Sequence, residues 1–212
     1  MNKIFYLSLM IVVLVSSCTF EEGYSFKSDW SGSYEASLDL SGIANMGGEE
    51  NEYKEMIPSN EIANLEGKMN AIEGISNAKV VSDNLAYSIN FFYDFDGLPA
   101  LNRLNNINLD EDDNDSPLAA IGKWEMSHKG KKKFFIKMIP KDVIENAQEM
   151  EKAKEAGEML QVTTLLNFSS KIKDINSDVA IKGVNENQVI IKYSGKDLID
   201  ATTNWDTEIQ LR

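Results

Sequence analysis

Leu85–Phe95 reads LAYSINFFYDF, with apolar residues at every second position. Leu85, Tyr87, Ile89, Phe91, Tyr93 and Phe95 fall on one side of an extended chain, and Ser88, Asn90 and Asp94 on the other. A repeat of two residues is the period of a strand with one face buried. Ser33–Ser41, SYEASLDLS, repeats it with Tyr34, Ala36, Leu38 and Leu40 on the apolar side, and Trp205, Thr207, Ile209 and Leu211 do so near the C-terminus. A wet face on each strand favours antiparallel sheet, because a parallel sheet covered on both sides is apolar on both faces. Phe92 breaks the pattern: it stands on the polar face and asks for a helix, a ligand or a partner to cover it.

Helical periods separate the strands. After Pro58, Ser59 or Asn60 can cap a helix with Ile62, Leu65, Met69 and Ile72 on one stripe, and Gly74 can end it. The spacing predicts a short helix near Leu98–Ile107, a long one over Asp142–Leu160 and a helical turn over Lys196–Ala201. Two hairpins follow from the turn chemistry: Lys123–His128 with Lys133–Ile139, and Val179–Lys182 with Gln188–Tyr193 across GVNEN. The expected class is α+β, an antiparallel β-sheet with helices packed mainly on one face.

The start of the chain follows a different logic. Ile4–Val15 is an apolar run of about 12 residues, where a bilayer-spanning helix needs roughly 20. Lys3 precedes it and small residues follow, the order of a secretory signal. Val15-Ser16-Ser17-Cys18 resembles the bacterial lipobox, which implies cleavage of residues 1–17 and a diacylglycerol on Cys18. Cys18 is the one cysteine, so it has no internal disulfide partner, and lipidation gives an unpaired secreted thiol a purpose. The expected organisation is a signal peptide over 1–17, a tether over 18–29 and a single domain over 30–212, with 108–117 as the point where two sub-domains would part.

Charge narrows the partners. The chain carries a net charge of −13, and the signal segment removes one lysine and no acid, leaving about −14. Such a body is ill suited to nucleic acid, which rewards clustered Lys and Arg. Its positive cluster, Lys129, Lys131, Lys132 and Lys133, reads as a gatekeeping turn beside Phe134 and Phe135, with contact to anionic head groups or an acidic partner as the alternative.

Catalytic chemistry finds little support. His128 is the single histidine and falls at a hairpin tip, so a Ser-His-Asp or Cys-His arrangement has a poorly positioned base. Zinc sites built on His and Cys clusters fail by counting. In the acidic stretch Asn108–Pro117, Asp110, Asp112 and Asn114 hold positions one, three and five of a calcium loop, but Asp115 stands where glycine is expected and Ile121 where glutamate is. With 34 acidic residues a glycosidase pair is always available, yet none reads as a carboxylate placed in apolar surroundings. No cofactor is expected.

TFEEGYSFKSDWSGSYEASLDLSG is similar to the start of a family of uncharacterised Bacteroidota (Flavobacteria-like) lipid-anchored envelope lipoproteins, through Glu21, Glu22, Tyr24, Phe26, Asp29, Ser31, Gly32, Tyr34, Asp39 and Ser41. Gly74–Ile107 is similar to the same proteins. The resemblance implies an outer-membrane lipoprotein held by lipid on Cys18, with its body on the periplasmic or the surface-exposed face, and Glu21 with Glu22 fits the acidic lead linked to surface export. The expected role is a non-enzymatic binding or assembly module with an envelope protein as partner. Alternatives are a carrier of a lipid or other hydrophobic ligand and a carboxylate-dependent hydrolase of envelope glycans.

Overall fold

The computed structural model describes residues 18–39, 41, 59–83, 87–105, 123–139, 160–199 and 203–212. Among them eleven strands form two sheets. They are β1 (Cys18–Phe26), β2 (Gly32–Asp39), β3 (Ile75–Asp83), β4 (Ser88–Phe95), β5 (Lys123–Lys129), β6 (Lys133–Ile139), β7 (Leu160–Phe168), β8 (Ile172–Asn176), β9 (Ala180–Lys182), β10 (Gln188–Ser194) and β11 (Thr207–Leu211). The large sheet has the order β3-β4-β2-β1-β7-β10-β9, and the smaller one β5-β6-β11-β8. Three short helices accompany them: α1 (Ser59–Asn70), α2 (Leu98–Asn105) and α3 (Gly195–Ile199).

The expected α+β class with helices over one face is corrected: strands make up 58% of the described residues and helices 17%, so the fold is β-rich. Alternation correctly signals one buried face per strand but says nothing of what covers it. Here the second sheet covers it. Phe26 on β1 and Phe168 on β7 meet Phe134 on β6 with ring centroids 5.0 and 5.3 Å apart, and Phe134 is fully buried. Met126, Ile136, Ile209 and Leu211 of the small sheet join Leu166, Val189 and Ile191 of the large one in the same core.

The first two helices serve the sheet edges through side-chain bonds. Edge strand β3 shifts register between Ser76 and Lys79, and Asn70 of α1 answers the displaced backbone. Its Oδ1 accepts from Ala78 N at 3.0 Å and its Nδ2 donates to Ala78 O at 3.1 Å, while Glu66 Oε1 accepts from Val80 N at 2.7 Å. Asn102 of α2 does the same for edge strand β5, with bonds of 2.9 and 2.8 Å to the N and O of Met126. Side chains that copy a neighbouring strand satisfy the open edges and block them to other chains.

Much of the expected tether, 18–29, forms β1, which lies inside the large sheet between β2 and β7. Its pairing with β2 is antiparallel and its pairing with β7 parallel. The long helix expected over 142–160 lies outside the described residues, except that Leu160 begins β7. The acidic stretch 108–117 also lies outside them.

Candidate functional site

Three features stand out, beginning with a carboxylate inside the barrel of side chains between the sheets. Phe20, Glu22, Tyr24 and Phe26 share the inner face of β1, so an acid sits in a row of aromatics. Register sets Glu22 between Ala36 on β2 and Thr164 on β7. Thr164 Oγ1 donates to Glu22 Oε1 at 2.6 Å, and the hydroxyls of Tyr24 and Tyr34 donate to Oε2 at 3.2 Å each. Tyr93 stacks on Tyr34 at 4.5 Å, and Tyr193 meets Trp124 and Trp205 at 5.9 and 5.2 Å.

Burial pushes the Glu22 carboxyl above its ordinary range, and the three donated bonds oppose that rise without cancelling it. Tyr24, Tyr34, Tyr93 and Tyr193 are all pushed upward, first by burial and then by the Glu22 charge, so they remain hydroxyl donors. A cavity of about 10 Å³, bounded by Glu22, Trp124, Met126, Thr164 and Ile191, adjoins the carboxylate. It admits a water molecule and no substrate. Glu22 is therefore a satisfied buried acid that can hold or release a proton.

No reading of the sequence singled out Glu22 as buried, and none marked a carboxylate in apolar surroundings. The signal was present: Phe20, Tyr24 and Phe26 at even positions put residue 22 on the inner face. Treating 18–29 as a tether concealed it.

The second feature is the outer face of the large sheet. Consecutive registers carry one row across its seven strands: Lys79, Phe92, Glu35, Gly23, Leu165, Ile190 and Ile181. Phe92 is 41% exposed and Ile181 62%. Gly23 leaves a depression of about 250 Å³ bordered by Glu21, Glu35, Ser37, Asn90, Phe92 and Leu165. The Glu35 side chain leans over Gly23, whose missing Cβ would meet its Cγ at 3.5 Å. Phe92 thus lies where the alternation predicts, on the wet face.

The third feature is Cys18, the residue at which β1 begins. The calcium candidates Asp110, Asp112 and Asn114 lie outside the described residues. Among the described residues no three His, Cys, Asp or Glu side chains gather as a metal site. Exposed His128, near the end of β5, stacks on Trp30 at 5.1 Å, and its Nδ1 lies 3.0 Å from Gly130 O in the hairpin turn. Among the described residues no helix is long and apolar enough to cross a membrane.

No protein-family model matches the chain, and no curated protein matches it. A solved structure similar to it is the folded domain of LppM from Mycobacterium tuberculosis, determined by NMR. The identity is 11%, the TM-score 0.46, and the match covers 92% of this chain and 90% of that one. A likeness at that level transfers neither residues nor activity.

Proposed function

We propose that the chain is an outer-membrane lipoprotein, tethered through an acylated Cys18, whose body works as a non-enzymatic binding module. The observation that carries the binding reading is the open outer face, where Phe92, Leu165, Ile190 and Ile181 form an apolar row interrupted by Gly23 and Glu35. Phe92 and Ile181 show apolar surface to water on the same sheet face, and a partner seated along the row would cover both. A non-enzymatic role fits the chemistry of Glu22, the buried carboxyl, which faces three hydroxyl donors and room for one water rather than a cleft.

The lipobox-like Val15-Ser16-Ser17-Cys18 supports the anchor, and the start of the sheet at Cys18 leaves the fold directly against it. Metabolic labelling with an alkyne fatty acid tests this. Wild type takes the label and fractionates with the outer membrane, and Cys18→Ala does neither. Label retained by the alanine variant overturns the anchor.

A further inference from the structure

We propose that the pole of the body opposite Cys18 is a docking surface for a carboxylate-bearing glycan of the cell envelope. β1 runs from Cys18 to Phe26 in parallel with β7 from Leu160 to Phe168, so Cys18 and Leu160 mark one end and Phe26 and Phe168 the other. Eight strand steps separate those ends by about 26 Å.

Several turns meet at the Phe26 end. Trp30, in the β1–β2 turn, donates its Nε1 to Gly130 O at 3.2 Å, which fixes the β5–β6 hairpin tip there. Leu211 N bonds Lys132 O at 2.8 Å, Arg212 N bonds Lys171 O at 2.9 Å, and Ile172 N bonds Glu186 O at 2.7 Å. The surface is therefore continuous from the β1–β2 turn to the β9–β10 loop.

Charge on this pole opposes that of the chain. Lys171 pairs with Glu186, Lys133 with Glu208 at 2.6 Å, and Lys27 faces Asp29. Lys129, Lys131 and Lys132 are exposed and form no ion pair among the described residues. Three uncompensated cations on one rigid tip, in a chain of net charge −13, select a polyanion.

Two polyanions fit less well. The membrane that holds Cys18 lies some 26 Å away along the strand, well beyond the screening length of about 8 Å. An acidic protein partner would need an apolar anchor at the centre of its contact. Of the large hydrophobic residues standing exposed among the described residues, Val184 alone belongs to a loop at this pole, and Trp30 is buried. Lysines are point charges on flexible stems and impose no bidentate geometry, which suits anions repeated along a polymer without fixed spacing. The orientation rests on the acylated Cys18 proposed above, and the charge pattern does not.

The full-length chain in neutral detergent, mixed with purified peptidoglycan sacculi at about 50 mM salt and sedimented, tests the contact. Wild type is expected to co-sediment, with half-saturation weakened about tenfold or more by the triple change K129A/K131A/K132A, and competed by polygalacturonate. The triple arginine variant should retain binding, and Lys192→Ala, on the outer sheet face, should leave it unchanged. No sedimentation, an alanine variant equal to wild type, or capture by phosphatidylglycerol vesicles in place of sacculi overturns the proposal. Acyl labelling of the same sample separates the two readings: sedimentation without label supports the glycan contact and overturns the anchor.

Discussion

Thr164 on β7 donates its hydroxyl to Glu22 on β1 at 2.6 Å, across the parallel seam of the large sheet. The bond joins residues 142 apart and helps hold a carboxyl where burial raises its pKa above 4.5. The folded chain therefore keeps this proton at pH values where the unfolded chain has released it. Stability from Glu22 is full below the unfolded value and falls as pH rises from there through the folded value. Glu22→Gln removes that titration. Urea melts from about pH 4 to pH 8 should show wild type losing stability relative to the glutamine variant as pH rises, and a difference constant with pH would show that Glu22 does not titrate as a buried acid.

Phe134 has no exposed surface and contacts the rings of Phe26, Trp30 and Phe168. Its truncation to alanine leaves a cavity between the sheets. A loss of about 3–5 kcal/mol is expected in denaturant melts, and Phe134→Leu should recover part of it.

Gly32 sits where β1 and β2 leave the turn and no side chain fits. A Cβ there would lie 1.9 Å from Ser25 O and 2.7 Å from the Phe95 ring. The nearer obstacle is backbone, so relief requires the hairpin to open. Gly32→Ala should cost more than about 2 kcal/mol, read as a lower melting midpoint, whereas Gly130→Ala meets open space and pays only for its φ of 64°.

Asn70 gives β3 its substitute neighbour. Asn70→Ala leaves the N–H and C=O of Ala78 without their partner, at a cost of about 1–3 kcal/mol. Amide exchange should quicken at Ala78 while Ile191 in β10 stays protected. Unchanged exchange at Ala78 would remove the edge-capping role.

Phe92 rests on the outer face with 41% of its surface exposed. Phe92→Ser should shift unfolding free energy by no more than about 0.5–1 kcal/mol, since the ring packs against no core. The same change should weaken any partner seated in the depression over Gly23, so a stability loss of several kcal/mol would show that the ring is structural.

The parts of the fold legible in the sequence are those with local signals. Alternation located β2, β4 and β11, turn chemistry located the β5–β6 and β9–β10 hairpins, and a 3.6-residue stripe with its cap located α1. β1 was hidden because a lipobox followed by acids resembles a leader, although Phe20, Tyr24 and Phe26 alternate. What covers the apolar faces was not legible at all: one-sided strands are written the same way whether a helix or a second sheet packs on them. The buried Glu22 was unreadable for a related reason, since its donors Tyr34 and Thr164 come from two other strands.

The parallel seam also sets an order of events in time. β1 emerges first, finds β2 at once, and then waits for residues 160–168 before its other side is filled. Contacts of such long separation form late and slowly. A chain that postpones its central pairing until nearly four-fifths of it has been made carries β1 with one edge unpaired by β7 for most of its synthesis.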